Sequence, residues 1–274
     1  RAGSVLLCGS GTQALQLAIA GRDPHTRGRP RVALPAYACF DLASAAVGAD
    51  ALVAFYDVDP HTLAPDPDSL RRAVLAGVNA VVVAPLFGVP IDMAVVREAA
   101  GACTIIEDAA QGFGASWRGE PLGSHGDLAV LSFGRGKGWT GGHGGALIAR
   151  QAGPWPPLPS QSSASSSRDV LVLVAQWTLG RPALFGLPAA IPGLAIGETV
   201  YKPPVLPRAL SDLAIAVLRR THAAALHEAQ ARRDNAARLL HDLAGTGHHL
   251  FTPPHDGVAG WLRLPVRVRG GITA

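Results

Sequence analysis

The sequence predicts an α/β fold: a mostly parallel, mixed sheet sandwiched by helices, followed by a small C-terminal α/β domain that the chain cuts short. Three observations carry that expectation. Short continuous apolar runs, rich in β-branched residues, alternate with stretches of helical length through roughly the first 150 residues. That alternation is the pattern of a parallel sheet covered on both faces. The 274 residues are 48% apolar and 16% charged, which is enough for a sizeable core. Glycine-rich segments stand directly after strands, where open α/β sheets hold their ligands.

Taken in order, Cys8–Leu15 (CGSGTQAL) reads as a glycine turn with Thr12 capping a helix over Gln13–Ala20. Strands follow at Arg31–Leu34, Leu52–Tyr56, Ala80–Ala84, Thr104–Ile106, Ala129–Phe133 and Ala146–Ala149. Helices fall between them at Asp41–Gly48, Pro67–Leu75 and Ile91–Ala100, the second carrying Leu70, Val74 and Leu75 on one face. Pro154–Ser167 (PWPPLPSQSSASSS) reads as a flexible linker. Val170–Ile196 is apolar but broken by Gln176 and Arg181, which favours buried or interfacial surface over membrane contact. Leu210–Leu243 is a long helical segment with room for one break, and Trp261–Val268 alternates as a strand. The expected division is a large domain over 1–200, then the long helix and the start of a small domain over 201–274.

Composition removes several function classes. Three cysteines are too few for a disulfide framework or a zinc site, and their odd number points to a reducing compartment, the cytoplasm. The ten histidines show no HExxH-like spacing, so no metal site is expected, and His248–His249 reads as solvent-facing. The opening residues do not read as a signal peptide. The net charge of +4 comes from scattered arginines with no basic run, which excludes a nucleic-acid groove. Only Lys137 and Lys202 are lysines.

Four segments stand out: Leu34–Asp59, a strand, Pro turn, helix and strand within 26 residues, and three that carry candidate chemistry. Gly9 and Gly11 in the first turn allow a helix N-terminus to receive a phosphate, although many such loops only cap helices. Thr104–Ala115 (TIIEDAAQGFGA) delivers Glu107 and Asp108 at a strand end. A carboxylate there can hold a heterocyclic nitrogen protonated, or it can cap the next helix. Leu131–Leu147 (LSFGRGKGWTGGHGGAL) presents Lys137 in a glycine loop after a buried strand. Desolvation there would favour the neutral, nucleophilic amine. The loop is not a P-loop, because Gly138 follows the lysine. Phosphate loop, carboxylate and lysine together suggest a pyridoxal 5'-phosphate (PLP) site.

The order and spacing of these segments resemble the DegT/DnrJ/StrS family of PLP-dependent sugar aminotransferases, of the aspartate-aminotransferase-like fold. The likeness runs from Gly9 to about Arg150 and more weakly over Leu210–Leu243. It implies that Gly11, Thr12 and Gln13 belong to the phosphate loop. It implies that Asp108 takes the pyridine nitrogen, Ala110 packs under the ring and Gln111 lies near the ring hydroxyl. Ser132 would help bind phosphate, and Lys137 would hold PLP as an internal aldimine. The implied activity is amino transfer from a donor, glutamate, to a keto acceptor, a nucleotide-linked keto sugar, in a cytoplasmic homodimer with shared active sites. Neither nucleic acid nor membrane is an expected partner.

Three departures from the family pattern, one of them the short C-terminal domain, support an alternative, a non-catalytic PLP-binding regulatory or scaffold protein. The ring-stacking aromatic falls at Cys39, with Phe40 beside it. The family's asparagine before the long helix is missing near Pro207–Ala209, where Arg208 is the available substitute. Lys137 argues against the dehydratase branch, which carries histidine at that place. Tyr37, Trp139 and His143 are candidate cavity-lining residues.

Overall fold

A computed structural model describes residues 3–21, 28–151, 155, 157–160, 169–171, 173–175, 178 and 201–268. In chain order the elements are β1 (Ser4–Cys8), α1 (Gly11–Ala20), β2 (Arg31–Pro35), α2 (Asp41–Gly48), β3 (Leu52–Tyr56), α3 (Pro67–Leu75), β4 (Ala80–Val83), α4 (Met93–Ala100), β5 (Thr104–Asp108), β6 (Ser116–Trp117), β7 (Glu120–Pro121), β8 (Leu128–Ser132), β9 (Gly145–Ala149), α5 (Asp212–Leu243), β10 (His249–Leu250), β11 (Gly257–Val258) and β12 (Val266–Arg267).

Seven strands form one sheet in the order β1-β9-β8-β5-β4-β2-β3. The run from β8 through β5, β4 and β2 to β3 is parallel, while β9 is antiparallel to both β8 and β1. The sheet is therefore mixed and mostly parallel, with helices on both faces. The period-two geometry of a strand explains why its runs are continuously apolar. In β4, Val81 and Val83 enter the core beneath α3 and α4, while Ala80 and Val82 enter the core beneath α1 and α2. In β5, Ile105 and Ile106 divide in the same way.

Local chemistry sets the helix boundaries. Asp66 caps α3 by accepting from Ser69 N (2.7 Å), with Pro67 at the first position. Asp92 caps α4 by accepting from Ala94 N (2.9 Å), so that helix starts at Met93, and Ile91 is left to fill the core. The long helix α5 runs unbroken from a Ser211 cap. Its buried residues Ala214, Leu218, Ala225, Ala229 and Ala236 recur at intervals of four and seven, one stripe of small apolar side chains. That stripe rests on the large sheet domain, where Leu210, Ala214 and Leu218 pack with Phe133 and Ala146.

Several expectations change. The amino-terminal strand β1 precedes the glycine turn, where the sequence marked no element. The alternating stretch Trp261–Val268 forms strand only at Val266–Arg267, paired with β10. Its earlier half leaves strand geometry because Trp261 takes φ +45°, and Gly260 and Leu262 instead donate to the carbonyls of Gly88 and Phe87. His249 is only partly exposed, with Nε2 2.8 Å from the His61 carbonyl oxygen. Strand β11 pairs with β6, which ties the C-terminal segment back to the chain that follows β5. Within the expected linker, Trp155 and Leu158 pack on the α1–α2 core, and the Pro159 carbonyl accepts from Ala209 N (2.9 Å). The rest of that linker and most of the Val170–Ile196 stretch lie outside the described residues. No helix among the described residues is long and apolar enough to cross a membrane.

Candidate active site

A cleft opens at the carboxyl ends of β4, β5 and β8, where the parallel sheet meets the first turn of α1. Its walls carry Gly11 and Thr12 from α1, Cys39, Asp41 and Leu42 from the start of α2, Ala84–Leu86 after β4, Asp108, Ala110 and Gln111 after β5, Ser132 from β8, and Lys137. Of the residues assigned to the cofactor from the sequence, Gly11, Thr12, Asp108, Ala110, Gln111, Ser132 and Lys137 stand in this one lining, and Gln13 does not.

The close approach of α1 to β8 depends on glycine. A Cβ on Gly11 would lie 2.7 Å from Ser132 Cβ and 3.0 Å from its Oγ, closer than such contacts allow. A Cβ on Gly145 would fall 2.5 Å from Gly11 N. The helix cap is Ser10, in place of the expected Thr12. Ser10 is extended (φ −159°, ψ 164°), and its Oγ accepts from Gln13 N at 3.1 Å. Thr12 is left on the cleft wall. The N-terminus of α1 thus faces the cleft with its partial positive charge, beside a serine hydroxyl.

Gln13 is buried and turned elsewhere. Its Oε1 accepts from Arg208 N (3.1 Å), and Gly9 N donates to the Arg208 carbonyl (2.8 Å). Arg208 itself lies over Gly9, where a Cβ would meet its Cγ at 3.0 Å.

Asp108 ends β5. Its Oδ1 accepts from Ala110 N (3.1 Å), and turns follow it, so it caps no helix. Burial raises its carboxyl above the usual range. The Ala110 N–H and the Lys137 charge pull it back down, and the charges of Asp41 and Glu107 push it up again. Glu107 faces the other side of the strand, fully buried, and accepts from the N–H groups of Gly123 (2.7 Å), His125 (2.8 Å) and Gly126 (3.1 Å). It closes the loop before β8 and takes no place in the cleft.

Gln111 Oε1 accepts from Phe87 N (3.0 Å), which holds the turn Leu86–Gly88 with Phe87 at φ +59°. Lys137 N donates to the Gly134 carbonyl (3.2 Å). Among the described residues Lys137 makes no ion pair with a carboxylate. Cys39 Sγ donates to Asp41 Oδ2 (3.3 Å), and burial followed by the Asp41 charge pushes the thiol up. Phe40 stands at the start of α2, outside the lining. Of the three other candidates, Tyr37 is exposed, Trp139 faces α5, and His143 Nε2 lies 3.1 Å from Ser211 Oγ. Among the described residues no group of three or more metal-ligating side chains occurs.

Sequence reasoning missed Asp41, Leu42 and the Ala84–Leu86 turn. Only their place at strand ends and helix starts marks them, and the backbone path has to be known before that mark can be read.

The model of the DegT/DnrJ/EryC1/StrS aminotransferase family matches residues 1–153. An L-glutamine:2-deoxy-scyllo-inosose aminotransferase of Streptomyces kanamyceticus is 35% identical over 141 residues, 51% of this chain and 33% of that protein. An L-glutamine:scyllo-inosose aminotransferase of Streptomyces griseus is 32% identical over 152 residues, 55% of this chain and 36% of that protein. The matched stretch therefore spans about a third of these relatives' length. The crystal structure of AtS13 from Actinomadura melliaura superposes with a TM-score of 0.69 at 24% identity, covering 97% of this chain and 68% of that one. The sugar aminotransferase CalS13 from Micromonospora echinospora gives 0.66 at 24% identity, and both share the fold. Because the family match takes in more than half of the residues and every cleft wall from Gly11 to Lys137, the chain belongs to the DegT/DnrJ/EryC1/StrS aminotransferase family.

Proposed function

We propose that the protein is a PLP-dependent aminotransferase that moves an amino group from an amino-acid donor to a cyclic, polyhydroxylated ketone. One observation carries this reading: a lysine, a carboxylate and an anion-binding helix end face a single cleft. The donor set fits the cofactor. Gly11 lets the first turn of α1 close onto Ser132, so the helix N-terminus and the Ser132 hydroxyl meet on one wall of the cleft, which suits a phosphate oxygen. Asp108 at the strand end suits a protonated ring nitrogen, and Lys137 is the primary amine within reach of the same cleft.

Gly11, Thr12 and Ser132 would hold the phosphate, with Ala110 and Gln111 against the ring. Bound there, PLP supplies an electron sink for a carbanion at the substrate carbon. Asp108, ionised above its raised pKa, would hold a ring nitrogen in its charged form. Lys137 Nζ would attach the cofactor and, as a free amine, would be the base for the proton on the donor's α carbon. Cys39 offers a polarizable but non-aromatic surface where relatives of this family are expected to stack a ring.

For the donor, the relatives named above use L-glutamine, and we place glutamine beside the glutamate expected from the sequence. For the acceptor, a nucleotide-linked keto sugar and a free inosose are the two forms to separate. The remaining proposals are a cytoplasmic homodimer with shared sites and a division into 1–200 and 201–274.

The test is spectroscopic. Added PLP should give the visible band of lysine-bound cofactor, and borohydride should fix it on Lys137. The band should vanish in Lys137→Ala and persist in Lys202→Ala. Glutamine or glutamate should then convert bound PLP to its amine form. A wild-type protein without the band ends the proposal. A band that no donor discharges leaves the regulatory reading in its place. A panel of keto nucleotide-sugars and inososes identifies the acceptor, and light scattering tests the dimer.

A further inference from the structure

We infer that Trp139 is the positioning residue that sets where Lys137 stands; this rests on the aminotransferase reading above. Between Gly134 and Gly145 the chain runs GRGKGWTGGHGG. Lys137 has glycine on both sides, and Gly136 takes φ +78°. A glycine-rich backbone restricts little by itself. A lysine in such a run has a fixed place only if a neighbour is fastened down.

Trp139 is the only large apolar side chain in the run, and it is fastened on several sides. Its Nε1–H donates to the Leu218 carbonyl of α5 at 3.1 Å. Its ring packs against Phe133 (centroids 5.3 Å apart), His222 (5.0 Å) and Phe113 (5.7 Å). Gly138, between the lysine and the indole, is pressed onto Phe113, where a Cβ would meet Phe113 Cβ at 2.9 Å.

Further along, a Cβ on Gly141 would lie 3.0 Å from Leu218 Cγ, and His143 Nε2 lies 3.1 Å from Ser211 Oγ. Ser211, Ala214, Leu218 and His222 are three or four residues apart, so they share one face at the start of α5. That face is a rail, and the glycine loop is held along it. Trp139 is the attachment nearest to the lysine and the largest. Its ring faces the helix, so it acts on the cleft only through the lysine two residues away.

The test compares wild type with Trp139→Ala, Trp139→Phe and His222→Ala. The first readout needs no cofactor: the rate at which trinitrobenzenesulfonate labels Lys137, divided by its rate on Lys202. The ratio is expected to rise at least fivefold in Trp139→Ala and to return within twofold of wild type in Trp139→Phe. The second readout is steady-state kinetics with PLP and donor. Here kcat should fall at least tenfold in Trp139→Ala, with the donor KM within twofold and kcat largely rescued by Trp139→Phe.

A labelling ratio and kcat both within twofold of wild type in Trp139→Ala overturn the proposal. So does a fall in activity that tracks only the fraction folded while the ratio stays unchanged. If Trp139→Ala does not fold, Trp139→Phe and His222→Ala decide on the same readouts. His222→Ala is then expected to raise the ratio about twofold to threefold at an unaltered melting temperature, and an unchanged ratio overturns the proposal. A wild type that performs no transamination defeats the functional reading, and the labelling ratio still decides the role of Trp139.

Discussion

Glu107 and Asp108 are adjacent on β5 and carry their carboxylates to opposite sides of the sheet. Glu107 is fully buried and saturated by three backbone N–H groups, while Asp108 opens on the cleft with Lys137. The pleat of one strand has separated a structural acid from one that lines the cleft.

Glu107→Gln should therefore damage the fold before it damages the chemistry. The amide retains one acceptor oxygen and turns an NH2 toward N–H donors. Leaving buried donors without acceptors costs about 1–3 kcal/mol for each group. We expect urea unfolding to report a loss of about 2–4 kcal/mol, with residual activity following the folded fraction.

Asp108→Asn should have the reverse signature. The strand and the Ala110 N–H contact tolerate an amide, so melting should change little. Cofactor should still attach at Lys137, while kcat falls at least about a hundredfold because the ring nitrogen loses its anionic partner.

The like charge of Asp41 helps to raise the Asp108 pKa, after burial, which is the larger cause. Removing it in Asp41→Asn lowers that pKa. The form that needs ionised Asp108 then persists to lower pH, so the acid limb of the kcat/KM profile should move toward acid. An unmoved limb would show that another group sets it.

Gly11→Ala pushes a methyl group onto Ser132 Cβ. PLP affinity should fall about tenfold or more, as expected when a close backbone approach to phosphate is lost. Adding Ser132→Gly removes the clash together with one hydroxyl. The double variant should bind more tightly than Gly11→Ala alone, a coupling that equilibrium titration detects.

Asp127 supplies a pH prediction for stability. Burial opposes its ionisation. Arg97, paired at 2.9 Å, and Ile105 N, donating at 2.8 Å, outweigh that opposition and hold its pKa below the usual value. A depressed folded-state pKa contributes stability above the unfolded pKa, and that contribution is lost as pH falls through the folded value. Asp127→Asn should cost about 1 kcal/mol at neutral pH, the partly exposed pair being screened. Its acid unfolding limb should be flatter than that of wild type.

The centre of the sheet was readable in the sequence because its strands β4 and β5 pack into the cores on both faces. Ala80–Val83 and Thr104–Ile106 have no polar side, so composition alone marks them. β1 was not readable: it is an edge strand, with Val5 and Leu7 exposed, and its pairing depends on β9. The cleft was legible where a residue type states its chemistry, as with Lys137, Asp108 and Gly11. Side-chain direction was not legible. Gln13 sits among the phosphate-loop residues yet bonds Arg208, and Trp139 looked like a cleft wall yet faces α5. Both directions are set by segments far along the chain, which local pattern does not register.

The contact between Gln13 and Arg208 joins positions 195 residues apart, and β1 pairs in the sheet only with β9. The glycine turn that faces the cleft therefore belongs to the slowest class of contacts, those that close the longest loops. During synthesis the parallel strands can assemble while the first strand waits, without a partner, for β9 to emerge. The anion-binding end of α1 gains its final support only when the segment before α5 arrives. On the aminotransferase reading proposed above, a chain stalled in translation before Arg208 would carry the sheet without a finished place for phosphate.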